Sequence, residues 1–336
     1  MAAPVHVAGR GAGIAAAQAV LAENGIAFST GQGPERGAAP VVMLGEQALH
    51  LLDGLFGAGH VAGSHRITQR IVLWNEAEAV AIPHRAVAIS GQDLLRALPS
   101  TQSAPRPAPP LFTLHARPPE PALRSFGHRE AAAAPVTLAA TADPSAVLVE
   151  AVAAGWLFLI PLGAQGGWLL AVGDTPNALL ASSRLVAPAV AALGPVEARF
   201  ETAPRMLEQL VGGDWLALGN AALAFDPLCG DGTATAARGG ILAGAVASAI
   251  TEGAAPGPLL RHYRAMHIAA LRRHLAACLP FYQRGGTGAW WQEQAKVTAA
   301  GHAWCTQLLA QEPEPAFVLT GSRLVPRSLP QRAAPA

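Results

Sequence analysis

Lysine is almost missing from this 336-residue chain: Lys296 is the only one, and the remaining basic charge is arginine. Charged residues make up only 13% and aromatic ones 5%, with two tyrosines in all. A net charge of +1 excludes a strong nucleic-acid footprint, because phosphate binding needs clustered basic side chains. Three cysteines, Cys229, Cys278 and Cys305, are an odd number without CxxC spacing. A disulfide framework and a zinc site are therefore not expected, and a reducing cytoplasm is. The histidines show no HxH or HExxH spacing, so no metal site is expected, and His262 and His267 read as helix-surface residues. No Walker-type phosphate loop and no Ser-His-Asp nucleophile motif stand out.

Long apolar runs without interruption are also missing. Residues 151–173 are uncharged and long enough to span a bilayer, but Gly155, Pro161, Gly163, Gly166 and Gly167 break them. They read as two buried strands, 156–162 and 168–172, joined by a turn. Residues 12–22 are apolar like a signal core, yet strand-like Val5-His-Val-Ala precedes them and no cleavage site follows. No membrane partner is expected.

What is present concentrates in one stretch. Trp215-Leu-Ala-Leu-Gly219-Asn220-Ala-Ala-Leu-Ala-Phe-Asp226-Pro227-Leu-Cys229-Gly230-Asp-Gly232 reads as an apolar strand, a tight turn and a glycine-rich loop. The loop opens a helix running to about Ile250. It presents unpaired N–H groups at a helix N-terminus, where partial positive charge favours an electron-rich ligand. The N-terminus carries a similar device: strand Val5-His-Val-Ala, turn Gly9-Arg-Gly11-Ala-Gly13, a helix ending at Asn24-Gly25, and strand Ile26-Ala-Phe-Ser. This is a βαβ start of the dinucleotide-binding kind. Ile14 stands where the usual spacing wants glycine, so either the turn is one residue shorter or the frame is Gly11-x-Gly13-x-x-Ala16. The acidic residue expected after the second strand is missing too, with Glu35 in the following loop its nearest substitute.

The 215–232 stretch resembles the second flavin-contacting motif of FAD-dependent monooxygenases and tryptophan-halogenase-like flavoproteins. That motif reads Gly-Asp-Ala-Ala, a spacer, Asp-Pro, then Gly-x-Gly. Gly219–Ala222, Asp226-Pro227 and Gly230-x-Gly232 stand at matching spacing. Gly45-Glu46, leading a helix with Leu49, Leu52 and Leu55 on one face, is similar to the Gly-Glu-led helix of the same proteins. Gly155-Trp156-Leu-Phe158-Leu-Ile160-Pro161 resembles their Trp-x-Trp-x-Ile-Pro strand, Phe126-Gly-His-Arg129 a strand end reading Asp-Ala-Thr-Gly-Arg, and Trp290-Trp291 a Trp-rich turn among their C-terminal helices.

The resemblance implies an α/β fold: a Rossmann-like FAD-binding domain of the glutathione-reductase type, an antiparallel β-sheet substrate domain, and C-terminal helices. The FAD-binding part is expected in 1–60, 90–130 and 205–255, and the substrate sheet in 61–89 and 131–204. A helical region would follow at 256–312 and a Pro-rich tail at 313–336, wrapping the surface or disordered. Residues 100–121, rich in Pro and Ala, read as a linker or irregular crossover. The implied cofactor is FAD, held by Gly9, Gly11, Gly13, Gly45, Gly219, Asn220, Asp226, Pro227, Gly230 and Gly232. Trp156, Phe158, Ile160 and Pro161 would line the substrate pocket, although a plain core strand predicts the same burial. Candidate catalytic groups are Glu46 and Cys229; Glu46 also suits a helix N-terminus by charge alone, and Cys229 suits a buried small site.

The implied activity is flavin-dependent oxidation, monooxygenase-like, of a small molecule or a protein side chain, with a flavin reductase as a partner. Halogenation is disfavoured, since the resemblance implies a catalytic lysine between the two halves and Lys296 lies far C-terminal. Asn220 in place of the family's Asp, the missing ribose acid and the irregular first turn support an alternative, a catalytically degenerate binding or maturation factor. A nicotinamide-dependent reductase using the first βαβ alone would leave the 226–232 motif unexplained.

Overall fold

The computed structural model describes residues 4–31, 38–99, 110–116, 122–229 and 232–327. The chain runs β1 (Val5–Ala8), α1 (Ala12–Glu23), β2 (Phe28–Gly31), β3 (Val42–Gly45), α2 (Glu46–Phe56), β4 (His65–Leu73), β5 (Val80–Ile89) and α3 (Gly91–Ala97). It continues through β6 (Phe112–His115), β7 (Leu123–Ser125), β8 (Glu130–Leu138), β9 (Ala146–Val152), β10 (Gly155–Pro161), β11 (Gly166–Val172) and α4 (Pro176–Ala181). Then come β12 (Val190–Leu193), β13 (Ala198–Glu201), β14 (Arg205–Leu207), β15 (Trp215–Ala217), α5 (Gly219–Ala222) and β16 (Leu223–Ala224). Three long helices follow, α6 (Gly232–Thr251), α7 (Pro256–Arg284) and α8 (Ala289–Gln311), and a hairpin, β17 (Phe317–Thr320) and β18 (Arg323–Pro326).

A parallel sheet of order β15-β6-β1-β2 carries the first βαβ unit. Side chains alternate across a strand, so Val5, Val7, Phe112, Leu114 and Leu216 fall on one face and bury against α1 and α6. These two helices are built from alanine and glycine because their backbones touch. A Cβ added at Gly240 would lie 2.0 Å from the carbonyl oxygen of Gly13, and one at Gly244 2.8 Å from Val20. The contacts ascend together in both helices, so α1 and α6 run parallel and begin on the same side. Among the described residues α6 is the one helix long and apolar enough to cross a membrane, and 67% of its apolar window is buried inside this core.

Strand β6 corrects the sequence reading of 100–121 as a linker or irregular crossover at residues 112–115. Phe-Thr-Leu-His at 112–115 pairs with β1 and β15 at the centre of the parallel sheet. Four residues are too short a run to show their period among so many prolines.

The larger sheet has the order β12-β8-β11-β10-β9-β4-β5-β3, with β13 also pairing β8. It is mixed rather than purely antiparallel, since β4 and β9 are parallel. Strand β3, expected with the FAD-binding segment 1–60, pairs with β5 here. Both faces of the sheet are covered, which is why 155–161 reads as an unbroken apolar run. Trp156, Phe158 and Ile160 pack with Cys278, Tyr282 and Trp291 of α7 and α8. Leu157, Leu159 and Leu169 bury on the opposite face with Leu179 of α4. Each such side chain contributes about 1.5–3 kcal/mol through burial.

Within the tail, β17 and β18 form a mostly exposed hairpin whose Phe317 and Leu324 pack on the α1–α6 core. Asn24 and Ser322 exchange hydrogen bonds, and Arg323 makes a two-oxygen salt bridge with Glu252 at 2.9 and 3.0 Å. His262 and His267 are buried, not surface residues. His262 meets the ring of Phe317 edge-on, and His267 lies against Tyr263, so tertiary packing covers a helix face that looks polar in the sequence.

Candidate functional site

Four helix starts lie close together, each marked by a glycine with open space where a side chain would stand. Helices α1 and α5 follow the parallel strands β1 and β15, α6 begins beside α1, and α2 follows β3 of the larger sheet. The glycines are Gly11 before α1, Gly45 before α2, Gly219 at α5 and Gly232 at α6; an added Cβ would meet no atom of the described residues within 4 Å at any of them. The chain brings them together by packing. α1 and α6 begin side by side, Ala48 of α2 packs with Ala16 and Ala234, and a Cβ on Gly13 would lie 3.2 Å from the Cα of Gly219. Gly11 and Gly219 have φ of 116° and 71°, backbone that residues with a Cβ rarely adopt. Neither α1 nor α2 has a side-chain cap, so their first N–H groups are left for a ligand.

The place is also right topologically. β1 leads through α1 to β2 on one side, while β6 lies on its other side. Ligands of open α/β sheets bind at such a switch point. Helix starts with bare backbone suit a diphosphate, and exposed Arg10 adds positive charge in the turn. The residues present thus fit a dinucleotide such as FAD at its diphosphate. At the ribose end the fit is weaker: β2 ends in Ser29-Thr30-Gly31 with no acid, and Glu35 lies outside the described residues.

Gly9 and Gly13 serve the turn by packing rather than by openness. A Cβ on Gly9 would fall 2.3 Å from that of Ala116, and one on Gly13 2.8 Å from the Ala236 carbonyl oxygen. Asn220 is exposed at the start of α5, and Pro227 is half-buried in a short helical turn before α6. Gly230 and the side chain of Cys229 lie outside the described residues. Glu46 is exposed at the start of α2, 3.7 Å from Arg85. Lys296 is 80% exposed on α8 beside Glu293.

Asp226 is fully buried, and around it lies a group of residues that sequence reasoning did not assemble. Arg129 Nε stands 3.1 Å from Asp226 Oδ2, and both side chains are wholly buried. Tyr282 donates its hydroxyl to the same oxygen at 2.5 Å, and the Leu228 amide donates to Oδ1 at 2.9 Å. The Asp226 amide donates to His274 Nε2 at 2.8 Å, which fixes that histidine as neutral and protonated on Nδ1. Gln294 accepts from Arg129 Nη1 at 2.7 Å, and the guanidinium lies 4.5 Å from the Tyr282 ring centroid. The loop from Asp226 to Cys229 is thereby bolted to β8, α7 and α8.

Burial governs the ionisation of this group. Desolvation raises the Asp226 pKa, opposed by Arg129 and by the bonds from Tyr282 and Leu228. Desolvation, with Arg129 nearby, lowers His274 to about 3. Tyr282 is pushed well above its ordinary value by desolvation and by Asp226. Arg129 was within reach of the sequence, as the end of the Phe126-Gly-His-Arg129 piece. His274, Tyr282 and Gln294 had no local signal.

Trp156, Phe158, Ile160 and Pro161 are all buried, the first three facing α7 and α8. Leu228 packs against this same cluster, so the Asp226–Cys229 loop sits at the edge of the sheet face.

No protein-family model and no curated protein matches the chain by sequence. Solved structures do match its fold. QhpG, a peptidyl tryptophan dihydroxylase essential for tryptophylquinone cofactor biogenesis, superposes with a TM-score of 0.68 at 17% identity, over 97% of this chain and 86% of that one. The flavin-dependent halogenase CmlS gives 0.70 at 14% identity, over 93% and 72%. HpxO of Klebsiella pneumoniae, complexed with FAD, gives 0.56 at 14% identity, over 91% and 98%. The chain has the fold of flavin-dependent halogenases and monooxygenases.

Proposed function

We propose that this chain binds FAD across the four glycine-marked helix starts and is a monooxygenase-like flavin-dependent oxidoreductase. The carrying observation is the gathering of the helix starts at Gly11, Gly219 and Gly232 by the switch point of the parallel sheet, with α2, which Gly45 opens, packed on α1 and α6. In this reading the α1 N-terminus and Arg10 hold the diphosphate, and Asn220 bonds a ribityl hydroxyl. The start of α6, with Gly230 and Gly232, supplies N–H groups to the pyrimidine end of the flavin, where negative charge gathers on reduction. Bound FAD would supply electrons for activating O₂. Asp226, tied to Arg129, Tyr282 and His274, would keep the Pro227–Cys229 turn in place beside the sheet face.

The substrate is a small molecule or a protein side chain; the fold shared with a peptidyl tryptophan dihydroxylase supports the second. The absence of a lysine from the described cleft argues against halogenation. A flavin reductase is the proposed electron donor, because open glycine walls suit a flavin that exchanges. Cys305, a free and buried thiol, fits a cytoplasmic location. A second reading, a binding or maturation factor that kept the fold, is favoured by Asn220 and by the lack of an acid at the end of β2.

The test is whether the purified protein carries flavin absorbance, and whether titration with oxidised or reduced FAD saturates. Saturable binding supports the first reading. A colourless chain that binds neither form would establish the second.

A further inference from the structure

We propose that Tyr282 is a redox-active residue, joined to the surface at Trp290 by a chain of aromatic rings and served by Asp226 as proton acceptor. Four of the seven tryptophans and one of the two tyrosines lie in one continuous cluster. Tyr282 lies 6.0 Å from Trp291 and 6.2 Å from Trp290 between ring centroids, and the two indoles are 4.8 Å apart. Trp74 continues the series at 5.5 Å from Trp291, and Trp156 ends it at 6.5 Å from Trp74. Trp291 and Tyr282 are wholly buried, whereas Trp290 is partly exposed and lines a cavity of about 240 Å³ with His128, Asp174 and Arg199. Rings in contact pass single electrons readily, so an oxidising equivalent entering at one ring reaches all of them.

The partners of the rings decide where it stops. Trp74 and Trp291 donate their indole N–H to the carbonyls of Phe281 and Val152, which are poor bases, and the Trp156 N–H has no hydrogen-bond partner among the described residues. An oxidised indole at these positions cannot shed its proton and stays mobile. Among the described residues, Tyr282 is the ring of this cluster that donates to a carboxylate. The step balances as follows: Tyr282 gives an electron to the oxidised indole, restoring it, and its phenolic proton to Asp226 Oδ2, leaving a neutral tyrosyl radical and a neutral carboxylic acid. Arg129, 4.5 Å from the phenol ring, opposes positive charge there and so favours loss of the proton together with the electron. Tyr263 is a natural contrast, since its hydroxyl donates to the Ala217 carbonyl and no base accepts its proton.

The flavin reading supplies only the natural oxidant, an oxygen-derived one-electron oxidant formed beside the Pro227–Cys229 turn; the proposal is otherwise independent of it. The test uses the full chain as purified, with photogenerated tris(bipyridine)ruthenium(III) in solution as oxidant and freeze-quench electron paramagnetic resonance as readout. Wild type and Tyr263→Phe should both yield a neutral tyrosyl signal. Tyr282→Phe should lose it and show a tryptophan radical instead, and Trp290→Phe should slow its formation at least tenfold. A tyrosyl signal that survives in Tyr282→Phe, or is absent from wild type and Tyr263→Phe, overturns the assignment of Tyr282. A slowing of less than tenfold in Trp290→Phe overturns the surface route. No flavin takes part in the measurement, so its failure leaves the flavin reading standing, and a flavin-free protein leaves this test intact.

Discussion

Arg129 and Asp226 form an ion pair, Nε to Oδ2 at 3.1 Å, from which water is wholly excluded. The pair joins the residue that leads into β8 to the turn that leads into α6. Removing one partner strands the other charge in a dry interior, which costs about 3–5 kcal/mol. Arg129→Met should lose that much in chemical denaturation. The double variant Arg129→Met/Asp226→Leu should be less destabilised than the sum of its single changes, because no buried charge is left over.

Gly232→Val should abolish FAD binding and leave the fold intact. An added Cβ meets no atom of the described residues within 4 Å, so they leave room for it. The isopropyl group would fill the space through which backbone N–H groups reach the ring. Unfolding free energy should change by less than about 1 kcal/mol, while an FAD titration loses saturation. Unchanged affinity would sink the proposed placement of the ring.

Asn220→Asp should tighten FAD binding by about 1 kcal/mol, roughly fivefold in Kd. Asn220 is exposed at the start of α5, so a carboxylate there escapes desolvation and offers a charge-assisted bond to a ribityl hydroxyl. Weaker binding by an intact fold would mean that position 220 faces an anion.

Acid should destabilise the protein well above the carboxylate range. His274 and His267 are lowered by burial to about 3 and about 4, beneath the ordinary value of 6.5. Between 6.5 and these values the unfolded chain takes up protons that the folded chain refuses, so stability is complete above 6.5 and falls as pH drops. The loss should reach the order of a few kcal/mol by pH 4, partly offset by Asp226, whose raised pKa favours the folded state in acid. His274→Gln should flatten the profile in a pH series of denaturation curves. An unaltered slope would show that His274 is not the group responsible.

Cys229 should be alkylated in the flavin-free protein and shielded when FAD is added. Cys278 and Cys305 are wholly buried and serve as controls that label slowly in both states. Mass spectrometry of labelled peptides decides the matter: equal labelling of Cys229 with and without FAD would remove the cofactor from this loop.

What the sequence determined by itself was local. Glycine turns, helix starts and apolar periodicity depend on neighbouring residues, so β1–α1–β2, the α5–α6 motif and the three long helices were all legible, and with them the flavoprotein fold. The apolar run 155–161 predicted that Trp156, Phe158 and Ile160 would be buried. What they face, α7 and α8 with Tyr282 and Trp291, was settled only when the sheet met helices from more than a hundred residues later in the chain. Strand β6 was hidden because a short parallel strand is defined by its partners, β1 and β15, rather than by its own pattern. The Arg129–Asp226–Tyr282–His274 group was likewise invisible: a buried charge is tolerable only where distant groups arrive to compensate it, and no residue carries that information until the chain has folded.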